Sequence, residues 1–440
     1  MHEQTVSDRA ASASGNFFGL CLGVARGVLA IVASILLART LSVTEFGEFA
    51  SGINLTIIVL MFASLGMERL TMQVFRRAQR SGDFEAARGL RRIGPMMIIA
   101  TCLACIVILV PAHIFFHDDP FHEHMNFALV LALLPLLALS RFFVGSAAAH
   151  GRYLLGNSVH SLAPFIIIIL LTLLVTALGW EELDVIHAVV IYGLAYGAVL
   201  LALYRIRQAA EPEEFRRGSH RLESMDWLRA GTLFSLAMFC MTVLDRGGVV
   251  AVSWLEDDDT GAAFLGAAGE LAGFMLFLAM GASAIFSPIM TDAVNDKNTV
   301  ALRKINFAWF RWVGGTAVVI GVLQLLYAKQ LLDLYGEEYE VATNAFIIYL
   351  VGFAISAFLF LPMMASQYLV GLGQSVLILG GWVVAGLIGM AYLGSHLGIQ
   401  GVAIAQIGAT IGANLGCILA GHRVVAKWKP EHSGGKATYK

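Results

Sequence analysis

Long apolar blocks separated by short polar stretches make up the whole chain. About 20 mainly apolar residues suffice for a helix to cross the hydrocarbon core of a bilayer. On that rule the pattern predicts a first set of spans over 16–41, 47–70, 94–114, 127–148, 155–178 and 184–204. A second set follows over 227–251, 261–287, 305–328, 342–363, 372–394 and 398–421, twelve in all. The longest polar stretch, 205–226, leaves no room for a soluble domain. The polar segment "SDRAASASG" precedes the first apolar run, which is longer than the apolar core of a signal peptide. The first segment is therefore expected to be a retained helix.

Composition agrees. Of 440 residues, 58% are hydrophobic and 14% charged, with a mean hydropathy of +0.76. Soluble domains carry about 25% charged residues, so the class is a polytopic membrane protein. The five cysteines, Cys21, Cys102, Cys105, Cys240 and Cys417, all fall in apolar spans and imply no disulfide framework.

Net charge says little, but its distribution fixes an expected orientation. "RRAQRSGDFEAARGLRR" holds six arginines, and further basic clusters follow the sixth and eighth spans and the last one. The alternate loops, "HDDPFHEH", "WEELD", "LEDDDTG" and "LYGEEYE", are acidic. Lys and Arg accumulate on the cytoplasmic side, so both termini are expected to be cytoplasmic. The same alternation makes the basic loops topogenic and headgroup contacts, not a nucleic-acid surface. No phosphate-binding loop, dinucleotide fingerprint or metalloprotease motif is present in the sequence; no catalytic residue, metal or cofactor is expected.

Three stretches recur in order in the two halves. "VTEFGEFASGINL" resembles "DDTGAAFLGAAGEL", "VFRRAQRSGDFEAARGLRRIG" corresponds to "PIMTDAVNDKNTVALRKINFAWF", and "AAAHGRYLLGNSVHSL" to "YLVGLGQSVLILGG". Ordered internal similarity points to duplication. The expected architecture is an all-α membrane protein, with twelve transmembrane helices in two six-helix bundles. Its parts are an N-terminal cytoplasmic segment (1–15), a bundle (16–206), a cytoplasmic linker (207–226), a second bundle (227–422) and a basic cytoplasmic tail (423–440).

"ILLARTLSVTEFGEFA" resembles the end of the first helix in polysaccharide-exporting flippases of the multidrug/oligosaccharidyl-lipid/polysaccharide superfamily. "LLDLYGEEYEVATNAFIIYL" resembles that family's turn into its tenth helix, and "VLDRGGVVAV" its Asp-Arg pair in the seventh. Ser42 departs from the pattern, where the family usually has Gly or Pro. The resemblance implies a flippase for an undecaprenyl-pyrophosphate-linked oligosaccharide, of the O-antigen or exopolysaccharide type, in the bacterial inner membrane. The implied partners are the lipid-linked glycan, membrane lipids and other polysaccharide assembly proteins.

Charged residues inside spans are the candidate lumen. A guanidinium in hydrocarbon costs about 2.5 kcal/mol or more, so each needs a reason. Gly15, Gly19, Gly23 and Gly27 form an i+4 stripe suited to close helix packing. At 100° per residue Arg26 falls about 20° from Gly19, facing helices or a lumen and not lipid. Arg39 lies on the other side near the outer end, where it can snorkel to headgroups. Arg141, Asp245 and Arg246 are further substrate-binding candidates, each with a structural alternative as a paired or snorkelling charge. Glu270 is either a coupling-ion site or a structural partner of an arginine. Guanidinium binds phosphoryl oxygens bidentately, which unites the arginines around a pyrophosphate. Asn54, Asn157, His160, Gln406 and Asn414 could meet sugar hydroxyls or make interhelical hydrogen bonds. Pro135, Pro164, Pro288 and Pro362 lie inside spans and are hinge candidates. The outer cluster His113, His117, Asp118, Asp119, His122, Glu123 and His124 is read as a solvated loop in preference to a metal site.

Two other functions compete. A cation-coupled drug or small-molecule antiporter of the same fold predicts lumen carboxylates in place of arginines. A membrane-embedded glycan polymerase or ligase needs a sizeable outer loop, which the chain lacks.

Overall fold

The computed structural model describes residues 6–116, 121–180, 183–222, 224–256 and 259–428. The expectations for 1–5, for His117, Asp118 and Asp119, and for the tail beyond 428 lie outside these residues. The first half comprises α1 (Val6–Thr40), α2 (Val43–Ala63), α3 (Met67–Ser81), α4 (Glu85–Phe116), α5 (Phe121–Leu131), α6 (Leu134–Ala149), α7 (Tyr153–Ala177) and α8 (Val185–Ala210). The second comprises α9 (Ser224–Ser253), α10 (Thr260–Asn295), α11 (Thr299–Trp309), α12 (Gly315–Leu326), α13 (Ala328–Asp333), α14 (Thr343–Val370) and α15 (Leu372–Val425).

Eleven helical runs among the described residues are long and apolar enough to span a bilayer. The last, of 54 residues, is two spans in one, because Gly398 breaks it with φ 57° and ψ −142°. That backbone is open to glycine and strained for other residues. Counting α15 twice gives the twelve crossings expected.

Local chemistry sets the helix ends. Ser42 is the N-cap of α2: its hydroxyl accepts from the Glu45 amide (3.2 Å), and Glu45 accepts from the Ser42 amide (3.0 Å). The residue that departs from the family pattern therefore starts its helix by a capping box. Asp184 caps α8, accepting from the His187 amide at 2.9 Å. Its burial favours the neutral acid, but the amide and ring of His187 outweigh that and hold the carboxyl below the usual range.

Two expected spans are broken. The span near 47–70 divides into α2 and α3 at Leu65 (φ 50°) and Gly66 (φ 61°). The span near 127–148 divides into α5 and α6, with Pro135 in the first turn of α6. There proline removes no intrahelical hydrogen bond, so Pro135 marks the start of a helix and does not sit in an uninterrupted one. Pro164, Pro288 and Pro362 do lie within helices, as do Pro95 and Pro111 of α4.

The halves meet through their first helices. α1 packs along α10, and α2 along α9 and α10. Exchanging the halves maps the α1–α10 contact onto the α9–α2 contact, which is the pairing expected of a duplicated bundle. Two glycines of the stripe make close contacts: a Cβ on Gly23 would lie 3.2 Å from the Gly281 Cα, and one on Gly27 would lie 3.0 Å from the Phe277 ring. Backbones approach this closely only through small residues.

The segment after α8 is folded onto the first half. The buried Glu211 carboxylate meets Arg91 (2.8 Å), Arg207 (3.3 Å) and Arg216 (3.7 Å). Phe215 is fully buried against Phe75, Phe84 and His150. Arg88 donates to the carbonyls of Ser219 (2.6 Å) and Glu214 (2.8 Å). Hydrogen bonding from the Glu85 amide, then from Arg221, holds the exposed Asp83 carboxyl below the usual range.

Candidate functional site

A cavity of about 110 Å³ lies where the halves meet. α1 contributes Arg26 and Ser34, α2 contributes Asn54, α8 contributes Tyr192 and Tyr196, α9 contributes Arg246, and α10 contributes Glu270 and Phe277. The sequence offered Arg26 and Arg246 as lumen candidates and Glu270 as a coupling-ion site or an arginine's structural partner; the fold brings all three to the lining of one cavity. Two guanidinium groups here face one carboxylate.

The three charges differ in their partners. Arg246 Nη1 donates to Asn54 Oδ1 at 2.8 Å, a contact between the halves. The same nitrogen stands 3.6 Å from Glu270 Oε1. Asn54 in turn donates to the Ala50 carbonyl at 2.7 Å. Arg26 has no carboxylate at bonding distance among the described residues. Its guanidinium lies 5.6 Å from the centre of the Phe277 ring, and its buried Nε has no hydrogen-bond partner. An unpaired guanidinium nitrogen in a buried wall is a donor waiting for an acceptor, because leaving it unmade carries the full desolvation penalty.

Arg141 and Asp245 do not line the cavity. Arg141 Nε is paired with Glu68 Oε2 at 3.1 Å, and its Nη1 lies 3.0 Å from the Met61 sulfur. His160 hydrogen-bonds the Ser140 hydroxyl at 3.3 Å. Asp245 is on the opposite flank: its carbonyl accepts from Gln406 Nε2 at 2.5 Å, and Tyr349 donates to Gln406 Oε1 at 2.6 Å. Gln406 thus ties α9, α14 and α15 together. Of the five candidates for sugar contact, only Asn54 reaches the cavity.

Arg39 is not free to snorkel as an anchor. Its Nε donates to the Leu334 carbonyl (2.6 Å) and its Nη2 to that of Asp333 (2.8 Å). These are terminal carbonyls of α13, where a cation is favoured. Arg39 is therefore a clasp between the end of α1 and the second half.

Glu68, Tyr192 and Tyr196 escaped sequence reasoning. The tyrosines at i,i+4 on α8 were a usable signal, since that spacing puts both on one face. Glu68 sits just past the break at Leu65 and Gly66, which an apolar count passes over. At the outer histidine cluster, His113 Nδ1 and His124 Nδ1 are 3.2 Å apart. No group of three or more His, Cys, Asp or Glu suited to a metal occurs among the described residues.

No family model matches the chain, and no curated protein matches it in sequence. Solved structures do match in fold. An inward-facing multidrug resistance MATE family transporter of the MOP superfamily aligns with a TM-score of 0.72 at 13% identity, covering 93% of this chain and 98% of that one. The Vibrio cholerae MATE transporter VcmN in its bent form aligns at 0.61 and 16% identity, covering 95% of this chain and 98% of that one. A MATE protein in complex with MaL6 aligns at 0.61 and 14% identity, covering 93% of this chain and 96% of that one. The chain has the two-bundle fold of these proteins.

Proposed function

We propose that this protein moves an anionic, lipid-anchored substrate across the bacterial inner membrane by alternating access. The substrate class we assign is an undecaprenyl-pyrophosphate-linked oligosaccharide used in polysaccharide biosynthesis. The observation that carries this reading is the cavity's charge balance, Arg26 and Arg246 against Glu270, with the Arg26 Nε unpartnered. A pyrophosphate supplies the missing acceptors in the bidentate geometry that guanidinium favours. The prenyl tail would remain in lipid, and Tyr192, Tyr196 and Phe277 offer faces for a sugar.

At about 110 Å³ the cavity is far below the roughly 300–1,000 Å³ of pockets that enclose drug-sized ligands. It suits a head group, and a glycan requires the halves to part. The charged ends, basic on one side and acidic on the other, support placing both termini in the cytoplasm.

A second reading is a cation-coupled drug antiporter. It is favoured by Glu270 within the cavity and by the fold shared with multidrug transporters. One binding experiment in lipid nanodiscs separates the two. Under the first reading farnesyl pyrophosphate binds, Arg26→Ala weakens it at least about tenfold, and ethidium does not compete. Ethidium binding that depends on Glu270 and ignores Arg26 would establish the second.

A further inference from the structure

A site of different character lies on the outside of the second bundle. α11 and α12 are joined by a π turn, Phe310–Gly314. A π turn accommodates an extra residue and commonly marks function when it interrupts a spanning helix. Here it turns three successive residues outward: Phe310, Arg311 and Trp312 are exposed, between the buried Trp309 and Val313. Trp309 is fixed from behind, its Nε1 donating to the Ala357 carbonyl at 3.1 Å.

The exposed face is continuous. Arg303, Phe307 and Arg311 repeat at i,i+4,i+8, with Lys304 beside them, and all four are exposed. Phe307 and Trp312 are 70% and 63% exposed. The Arg311 guanidinium lies 5.3 Å from the centre of the Trp312 ring. Among the described residues, Arg303, Lys304 and Arg311 have no carboxylate partner. Yet the helix belongs to a span, Thr299–Leu326. Arg311 is about 12 Å from Arg303 along the helix, so it enters the apolar zone from the end that carries the other two cations.

We propose that this face holds the headgroup of an anionic glycerophospholipid of the leaflet on the basic side. Three unpaired cations supply the charge complement, at a depth where an arginine needs a phosphate to offset its cost. Phe307 and Trp312 border the acyl chains, the position favoured by aromatic rings at a membrane interface. The π turn is what allows Arg311 and Trp312 to face the lipid together while Trp309 and Val313 keep packing inward.

The fluorescence difference between wild type and Trp312→Phe isolates one indole as the reporter. In phosphatidylcholine nanodiscs, brominated phosphatidylglycerol should quench that signal as if enriched about fivefold or more over brominated phosphatidylcholine at equal mole fraction. The Arg303→Gln/Arg311→Gln double variant should remove the preference. It neutralises lipid-exposed charge and so leaves the fold intact; thermal unfolding of the variant checks this directly. Equal quenching by the two lipids in wild type overturns the proposal, as does a preference that survives both substitutions. Displacement of the brominated phosphatidylglycerol by substoichiometric undecaprenyl pyrophosphate would assign the face to that lipid instead.

Discussion

Arg26 and Arg246 share a cavity but stand in opposite energetic positions. Arg246 is partnered by Asn54 and Glu270, so removing it leaves a carboxylate without its cation. Arg26 is half-buried, with its buried Nε unpartnered and a phenyl ring nearby, so part of its desolvation is carried at a cost the resting protein does not recover. Replacing an imperfectly paired buried charge by an apolar side chain of similar volume is often neutral or stabilising, whereas breaking a pair costs about 3–5 kcal/mol when fully buried. Arg26→Met is therefore expected to keep or raise the thermal midpoint while prenyl-pyrophosphate binding falls. Arg246→Met should lower both, by less than that range because the two side chains are still 25% and 28% exposed. Thermal unfolding and binding assays on the two variants check the contrast, and a fall in stability for Arg26→Met would place Arg26 in the scaffold. The position of Arg26 was legible in the sequence because a helix converts spacing into direction, and the glycine stripe gave that direction a reference. The pairing of Arg141 with Glu68 was not, because two charges 73 positions apart meet only through packing. Arg39 misled for the same reason: its acceptors are backbone carbonyls of α13, which no side-chain pattern reveals.

Elements were legible where hydrophobicity governs and obscure where a few dihedrals do. The twelve crossings follow from apolar length, but the break between α2 and α3 depends on Leu65 and Gly66 adopting positive φ within an apolar run. The polar segment after α8 looked like a plain connector. Its one aromatic, Phe215, is instead an anchor between Phe75, Phe84 and His150. His150 gives this anchor a pH dependence. Burial holds its pKa below the free imidazole value, although Glu211 opposes and Arg207 assists the shift. Burial thus favours the neutral ring when it is docked, 3.1 Å from Gln79 Nε2. A depressed folded pKa contributes stability that is complete above the unfolded value of about 6.5. That contribution is lost as pH falls through it toward the folded value. Hydrogen exchange at residues 211–222 should accelerate as pH drops from about 7 to 5, after correction for intrinsic rates. His150→Gln should flatten that response, whereas Asp83 and Asp184, both shifted downward, titrate at lower pH.

The molecule as a whole is two bundles held across their interface at two levels. Toward the end carrying the acidic loops, Arg39 grips the end of α13, Phe46 packs against Tyr335 and Tyr339, and the Ser51 and Ser253 hydroxyls lie 2.7 Å apart. Toward the opposite end, Gly23 meets Gly281 and Phe62 meets Phe239. The cavity lies between these contacts. In the proposed cycle the two levels open in turn, so fixing the first should arrest transport without removing the cavity. Ser51 and Ser253 belong to different bundles, and their hydroxyls are close enough to make a cysteine pair at these positions a suitable crosslink. The Ser51→Cys/Ser253→Cys variant is expected to lose export on oxidation and regain it with reductant, while each single variant stays active under both conditions. Arg26-dependent pyrophosphate binding to the oxidised protein from the opposite face separates an arrested cycle from a collapsed site. Full export by the crosslinked protein would mean that the halves need not separate at this level, and alternating access across this interface would be excluded.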